Sequence, residues 1–299
     1  GGGDGKIIAS FFPEEPERLR LLAPSWLHFA TAFSSAPAAG KPPLSPSGKV
    51  FYFWKGDDLL YPGKGKAFFD RAAKEGASGV LVSFSPRGIA FLRTEGGKAR
   101  LEETLEAARR TGIRAELLLG DPVWILAAHR KELAGLVREL DGFAFSGIHL
   151  DLEPDQLPDA ERRRMELLLS LTETVREVKR ATRLPVSLSV HPRYLEGSLG
   201  PVAAREFGAA GVNEIAVMIY STKVDAVASR MKAILSSWPR LRFRLAVSVE
   251  RELSGTESFF RGGKKSFLET VDFLQGELAS PSFAGTVVQS WENYREMAR

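Results

Sequence analysis

Two carboxylates lie at the end of one apolar segment, and their spacing is the strongest indication of chemistry in the chain. Asp151 and Glu153 end a predicted strand over residues 147–153. Successive residues of a strand point to opposite faces, so both carboxylates share one face with His149. Carboxylates on an otherwise apolar strand cost free energy unless they are partnered or used in chemistry. The pattern therefore predicts a site built around paired acids.

Paired carboxyl groups are what cleavage of a glycosidic bond requires. One must stay protonated near neutral pH to act as the general acid, and the other stabilises an oxocarbenium-like transition state. A neighbouring negative charge favours Glu153 as this acid. Asp151 would lie about 6–7 Å away along the strand, and its negative charge would raise the pKa of Glu153. His149, one layer deeper, could hydrogen-bond Asp151 and hold it ionised.

The elements around this segment predict an α/β fold, a (β/α)8 TIM barrel. Short apolar runs alternate with longer amphipathic stretches, which is typical of parallel βαβ units, and eight such units close into a barrel. The predicted strands are 50–54, 79–84, 114–119, 147–153, 185–191, 214–220, 241–250 and 283–291. The predicted helices are 65–75, 101–111, 124–140, 159–181, 202–211, 225–236 and 265–278. A doubly wound sheet is the alternative, but no Gly-x-Gly-x-x-Gly motif follows an early strand.

In such a barrel the carboxyl ends of the strands meet at one rim, where barrel enzymes assemble their sites. On several predicted strands every second residue is aliphatic, and that face suits contact with the helices. The residues between them are of mixed type, and their face suits the barrel interior. The predicted rim residues are Asp121, Asp151, Glu153, His191, Tyr220, Glu250 and Trp291. Glu250 is a second candidate partner for Glu153, although it could also face solvent. Asp121 could instead cap the next helix, and His191 could satisfy backbone groups.

Aromatic residues near the rim are candidate sugar contacts, because sugars present apolar C–H faces that stack on rings. Such aromatic residues are predicted at strand ends or just beyond them. The full set of predicted substrate-binding residues is Trp54, Asp121, Trp124, His149, His191, Tyr220 and Trp291. Trp26 and Trp238 lie elsewhere and are interpreted as structural.

The fourth predicted strand resembles a signature of chitinase-like glycoside hydrolases. Residues 145–154 read FSGIHLDLEP, against the F-D-G-x-D-x-D-x-E motif of that family. The match keeps Asp151 and Glu153, whereas Ser146 and His149 stand where the family carries Asp. The resemblance implies a polysaccharide-active TIM barrel more firmly than it implies chitin as the substrate.

Two further segments carry the same resemblance. Residues 217–221, VMIYS, are similar to the sixth-strand M-x-Y-D motif, with Ser221 in place of its Asp. Trp291, at the end of the last predicted strand, matches the sugar-stacking Trp of the family. About a dozen positions between residues 50 and 291 carry the resemblance.

The resemblance implies two alternative catalytic routes. Chitinase-like enzymes use the N-acetyl group of the substrate as nucleophile, oriented by residues that match Asp151 and Tyr220. In the large retaining-glycosidase clan, carboxylates at the ends of strands four and seven are the acid/base and the nucleophile, which here would be Glu153 and Glu250. That clan has Asn before its acid, where this chain has Leu152.

Composition predicts two regions in the chain. Residues 34–48 are rich in Pro, Ser, Gly and Ala, which is typical of a linker or surface arm. We predict an N-terminal extension and Pro-rich linker over 1–49 and a catalytic barrel over 50–299, with 7–48 packed on the barrel. Residues 1–5 are interpreted as an expression remnant or clipped end. A secreted or periplasmic location is favoured, with any signal peptide removed from this sequence.

Composition also narrows the partners. The 299 residues are 44% hydrophobic and 26% charged, as in ordinary globular proteins, and the formal net charge is +4. Basic residues are scattered over predicted helix faces, so we expect no nucleic-acid partner. No apolar run approaches the roughly 18 residues of a membrane span. With no Cys and 4 His, we expect no metal and no cofactor, and a monomer that acts on an oligo- or polysaccharide.

Two other functions fit the same residues. A non-catalytic carbohydrate-binding barrel would explain the acids missing at Ser146, His149 and Ser221, but such a protein does not need the three acids that remain. Metal-assisted hydrolysis would use carboxylates and His191 as ligands, although no compact ligand motif supports it. Turnover of polysaccharides distinguishes an enzyme from a non-catalytic binding barrel. Sensitivity to a chelator tests for metal-assisted hydrolysis.

Overall fold

Eight parallel strands form a closed barrel in which neighbours along the chain are neighbours in the sheet, and the last strand pairs with the first. The computed structural model describes residues 48–298. The strands are β1 (Gly48–Phe53), β2 (Ala77–Val82), β3 (Arg114–Leu119), β4 (Gly147–Leu150), β5 (Val186–Val190), β6 (Ile215–Met218), β7 (Phe243–Ser248) and β8 (Phe283–Gln289). This arrangement confirms the (β/α)8 TIM barrel.

Helices follow the strands and cover the barrel. They are α1 (Lys64–Lys74), α2 (Pro86–Leu92), α3 (Glu95–Arg110), α4 (Arg130–Leu140), α5 (Arg164–Ala181), α6 (Gly200–Ala209), α7 (Val224–Ser237), α8 (Gly263–Glu277) and α9 (Trp291–Glu296). Short 3-10 turns follow several strand ends, at Gly56–Leu60, Pro122–Ile125, Pro154–Gln156, Pro192–Leu195 and Phe260–Gly262. No helix within residues 48–298 is both long and apolar enough to cross a bilayer.

Alternation along the strands divides the buried residues into two layers, as predicted. Ile148 and Leu150 belong to the large apolar cluster that includes the helices. A smaller cluster fills the barrel interior with Val50, Tyr52, Leu81, Leu118, Ala216, Met218, Ala246 and Val287. His149 points into this interior, where it contacts the β5 hydroxyls of Ser187 and Ser189. The predicted inward face of β4 is therefore confirmed.

Several predicted boundaries need correction. The predicted helix 124–140 is a 3-10 turn followed by α4, because the Asp121 side chain caps a turn that begins with Pro122 and the chain at Leu126 is extended. Strand β4 ends at Leu150, before the two carboxylates. Helices α2 and α9 were not predicted. Strand β1 begins at Gly48, so the last two residues of the predicted N-terminal extension over 1–49 belong to the barrel, and its residues 1–47 lie outside the described residues.

Candidate functional site

The three predicted carboxylates come together at the carboxyl ends of β4 and β7. Asp151 and Glu153 follow β4, and Glu250 follows β7 by two residues. Their charges act on one another: Glu153 and Glu250 both raise the pKa of Asp151, and Glu250 raises the pKa of Glu153. Within residues 48–298, no group of three or more His, Cys, Asp or Glu side chains is arranged to hold a metal ion.

Asp151 is the most deeply placed of the three carboxyls. It is 8% exposed, and its Oδ1 atom has no hydrogen-bond partner within the described part of the chain. Burial, followed by the charges of Glu153 and Glu250, raises its pKa to about 7, although a hydrogen bond from Ser189 opposes the shift. Asp151 is therefore ionised only in part at neutral pH, and no direct hydrogen bond from His149 holds it ionised. A buried carboxyl beside two other acids takes up a proton near neutral pH.

Glu153 is half-buried and held in an unusual backbone conformation. Its φ is 30° and its ψ is 82°, in the left-handed region that a residue with a side chain rarely adopts. Gln156 Nε2 donates to Glu153 Oε1 at 2.7 Å. Burial is the main cause of its raised pKa, and the charges of Asp155 and Glu250 add to it. Strain of this kind persists where surrounding structure enforces it and is frequent at functional sites.

Glu250 is held by hydroxyl and amide groups of the same rim. Ser248 Oγ donates to Glu250 Oε2 at 3.1 Å, and a hydrogen bond with Gln289 also lowers the pKa of Glu250. Burial outweighs both hydrogen bonds, so its pKa lies above its usual value. Glu250 is thus anchored within the rim rather than extended into solvent.

Two tyrosines face this group of acids from the barrel interior. Burial raises the pKa of Tyr220 well above its usual range, and the charges of Asp151, Glu250 and Glu153 contribute. Tyr52, on β1, bonds Ser189 Oγ at 2.5 Å. Both phenols are neutral and can donate hydrogen bonds toward negative charge. Sequence reasoning identified Tyr220 but missed Tyr52, although Tyr52 lies on the inward parity of β1.

Trp54 is an exposed aromatic side chain at this rim. It is 36% exposed and lies parallel to Tyr52, with 6.1 Å between ring centroids. Its Nε1 donates to Gln289 Oε1 at 3.2 Å, and its backbone N–H donates to Glu292 Oε1 at 2.8 Å. Gly120 leaves space for the ring, because a Cβ there would lie 3.2 Å from it. These contacts hold an aromatic face at the opening of the barrel.

The stacking role predicted for Trp291 does not fit the structure. Strand β8 ends at Gln289, and Trp291 begins α9 with its side chain 1% exposed. Its ring packs against Phe51 and Phe68, in the layer between strands and helices. Trp124 is half-buried and packs against this same outer cluster. Proximity to a strand end indicated the right region but not the direction of either ring.

Asp121 and His191 have the structural roles that were considered as alternatives. Asp121 Oδ1 accepts from the Val123 N–H at 3.0 Å, and His191 Nδ1 accepts from the Arg193 N–H at 3.2 Å. Each side chain caps the 3-10 turn that follows its strand. Burial, with the positive charge of Arg193, lowers the pKa of His191 to about 4. A substrate contact by either residue stays a prediction.

His149 does not bond Asp151 directly, contrary to expectation. Its Nε2 atom lies 2.7 Å from Ser189 Oγ, and its Nδ1 atom lies 2.8 Å from Ser187 Oγ. Ser189 thus lies between His149 and Asp151. In the sequence, both serines lie on the polar, inward-facing side of the predicted strand β5. Strand alternation alone does not show which neighbours they contact.

The raised pKa of Asp151 predicts a pH-dependent cost to stability. Folding raises this pKa from its unfolded value near 4 to about 7, so wild-type stability falls as pH rises between these values. Asp151→Asn removes a cost on the order of 4 kcal/mol at pH 8. We expect urea unfolding to show that the free energy of unfolding of the variant rises relative to that of wild type between pH 4 and pH 8. A constant difference between the two proteins would contradict the raised pKa.

The architecture is similar to that of solved glycoside hydrolases. A GH18 chitinase from Pseudoalteromonas aurantia aligns with a TM-score of 0.56 and 13% identity, over 82% of this chain and 94% of that chain. A GH113 β-1,4-mannanase aligns with a TM-score of 0.54 and 12% identity, over 83% and 88%. A glycoside hydrolase family 5 enzyme from Prevotella bryantii aligns with a TM-score of 0.52 and 10% identity, over 84% of this chain and 92% of that chain. No protein-family model and no curated protein matches the sequence. At these identities the similarity establishes the TIM-barrel fold.

Proposed function

We propose that this protein is a glycoside hydrolase that cleaves an oligo- or polysaccharide, with Glu153 as the general acid. The observation that carries the proposal is the meeting of Asp151, Glu153 and Glu250 at the carboxyl-end rim of a TIM barrel. Barrel enzymes place their catalytic groups at this rim. Three partly buried acids in one place cost stability, which a purely structural role does not explain.

The properties of Glu153 suit the acid. Its pKa is raised by burial and by neighbouring negative charge, so a larger fraction of the carboxyl is protonated near neutral pH. It is also the more accessible carboxyl of the β4 pair, because Asp151 lies deeper. A protonated, accessible carboxyl can donate to the oxygen of a leaving sugar.

A partner carboxyl is available on either side of Glu153. Glu250 can approach from β7 as nucleophile, whereas Asp151 with Tyr220 can orient an N-acetyl group of the substrate. Both arrangements stabilise the positive charge that develops on the sugar ring. The solved neighbours include a chitinase and mannanases, which supports a polysaccharide as the substrate class.

The function is tested by turnover and binding measured on the same polysaccharides. Wild type is incubated with chitin oligosaccharides, β-1,4-mannan and xyloglucan, and new reducing ends are counted; Glu153→Gln is the matched variant. We expect wild type to release reducing ends from at least one polymer and the variant to bind that polymer without cleaving it. Binding by both proteins without cleavage would instead establish a carbohydrate-binding barrel. Loss of turnover with a chelator would indicate metal-assisted hydrolysis.

Two tryptophans form a matched pair for locating the sugar contacts. Trp54→Ala removes an exposed ring, so we expect KM to rise about two- to tenfold, which corresponds to about 0.5–1.5 kcal/mol of stacking. Trp291→Ala removes a buried ring, so we expect about 3–5 kcal/mol of lost stability with KM unchanged in the folded fraction. Chemical denaturation and steady-state kinetics measure both. An unchanged KM in Trp54→Ala would remove that ring from the site.

A further inference from the structure

A path of polar side chains runs from the candidate site into the barrel. Ser189 neighbours Asp151 and lowers its pKa, and Ser189 Oγ lies 2.7 Å from His149 Nε2 and 2.5 Å from the Tyr52 hydroxyl. On the other side of the ring, His149 Nδ1 lies 2.8 Å from Ser187 Oγ. Ser187 Oγ in turn lies 3.1 Å from Glu116 Oε2, on β3. The path therefore has a carboxyl at each end and an imidazole in the middle.

The hydrogen-bonding capacity of these groups permits two directions along the path. Each hydroxyl has one proton to donate, and a neutral imidazole donates from one nitrogen and accepts at the other. Burial, with the positive charge of Arg244, lowers the pKa of His149 to about 3, so the ring is neutral at physiological pH. When the serine protons lie within the path, rather than on the Tyr52 hydroxyl or the Ile148 carbonyl oxygen, all its bonds point the same way, either from Asp151 toward Glu116 or in reverse.

We propose that Asp151 and Glu116 share one proton through Ser189, His149 and Ser187, and that the tautomer of His149 shows which carboxyl holds it. When Asp151 is protonated, it donates to Ser189, Ser189 donates to Nε2, and Nδ1–H donates through Ser187 to ionised Glu116. Transfer moves one proton across each of the four hydrogen bonds. Glu116 is then protonated, His149 carries its proton on Nε2, Asp151 is ionised, and the total charge is unchanged.

The charges around the two ends place the proton on Asp151 at rest. Asp151 faces the acids Glu153 and Glu250 and the phenols of Tyr52 and Tyr220. These acids favour its neutral form. Glu116 is partly exposed and its pKa is also raised, mainly by desolvation, but the nearby charges of Arg114 and Arg244 oppose the shift more strongly than that of Glu214 supports it. Glu116, unlike Asp151, therefore has cationic neighbours that stabilise its ionised form.

The surroundings of Glu116 leave little room for water. A cavity of about 10 Å³ lies among Glu116, His149, Ser187, Glu214 and Arg244, which is room for at most a single water molecule. Arg244 donates from Nε to Glu214 at 2.6 Å, while its two terminal nitrogens have no hydrogen-bond partner in residues 48–298. A proton displaced from Asp151 thus has Glu116 as its nearby acceptor.

The consequence for catalysis rests on the proposed function. Positive charge that develops on a bound sugar favours ionised Asp151, but a bound substrate blocks the exit of its proton to solvent. Transfer to Glu116 supplies the negative charge at the site and returns the proton when the sugar leaves. In this scheme His149, Ser187 and Glu116 are positioning residues that act through Asp151.

Nitrogen NMR of the full 299-residue chain, labelled with [15N]histidine, tests the shared proton without any substrate. The His149 signals are assigned by their loss in His149→Phe, and spectra are recorded at pH 8. In Asp151→Asn the remaining carboxylate is Glu116, which only accepts, so we expect His149 to carry its proton on Nδ1. In Glu116→Gln the remaining carboxylate is Asp151, so we expect the proton on Nε2. The same tautomer in both variants would overturn the proposal.

Ser187→Ala provides a second test in case one of these variants does not fold. Without this hydroxyl the path is cut, so adding Glu116→Gln to Ser187→Ala should leave the His149 signals unchanged. A change of tautomer in this background would show that the path does not run through Ser187. His191 is the internal control, because it bonds Arg193 and its signals should stay constant. These outcomes do not depend on hydrolysis, so failure of the shared proton and failure of the glycosidase proposal are distinguishable.

Discussion

Glu153→Gln should lower kcat by about 10²–10⁴-fold or more, because the amide cannot donate the proton that a leaving sugar requires. Gln nearly preserves the size of the side chain and can still bond Gln156, which contacts Glu153 Oε1. We therefore expect substrate binding to be retained. Stopped assays for reducing ends give kcat, and calorimetric titration of the inactive variant gives Kd.

Glu161→Gln is the matched control for this variant. This variant removes the same charge from Glu161, whose side chain is 87% exposed and follows β4 in the chain. Its basic partner Arg164 lies 4.0 Å away. Its kcat should equal that of wild type. If Glu153→Gln also retains wild-type turnover on a verified substrate, another group is the acid.

The prediction of the barrel succeeded because strand alternation carries direct information on burial. Leu150 lies on a strand face whose residues are all aliphatic, and this face packs against the helices. Its neighbour His149 then faces the barrel interior. Since parallel strands end at one rim, the positions of Asp151, Glu153 and Glu250 just after β4 and β7 also placed them at that rim. Nothing beyond local pattern and barrel topology was needed for either inference.

Side-chain direction beyond the strand ends was not predictable in the same way. Strand periodicity stops at Leu150, and the φ of 30° at Glu153 depends on tertiary surroundings. Trp291 was placed at a strand end, but the chain turns into α9 there and buries the ring. Ser189 contacts Tyr52 from a strand far away in sequence, and no local pattern reports such a contact.

The neutral ring of His149, at a position where the motif it resembles has an acid, affects the electrostatics of the site. An acid there would place a third ionisable carboxyl beside Asp151 on β4, whereas the neutral imidazole adds no negative charge at physiological pH. The pKa of Asp151 is then set by burial and by Glu153 and Glu250. Asp151 is consequently poised to change its protonation near neutral pH, which matters for deciding between the two catalytic routes.

Glu250→Ala should lower kcat/KM by several orders of magnitude if Glu250 is the nucleophile, since no covalent intermediate can then form. Its carboxyl would need to lie about 5–5.5 Å from that of Glu153, as in retaining enzymes. The hydrogen bond from Ser248 suits this role, because it stabilises the ionised form that attacks. If catalysis is substrate-assisted, Asp151→Asn should cause the greater loss and Glu250→Ala should mainly raise KM.

A mechanism-based fluoro-sugar separates these routes directly. On the nucleophile route, mass spectrometry of the trapped protein should find the sugar on the peptide that contains Glu250, and Glu250→Gln should prevent labelling. Glu252→Gln is the control, because Glu252 is an exposed neighbour whose charge raises the pKa of Glu250 but which need not touch the sugar. A label on another residue would refute Glu250 as nucleophile. An unchanged kcat/KM in Glu250→Ala would remove it from the site, and the charge opposite Glu153 would then have to come from Asp151, the remaining carboxyl of the three.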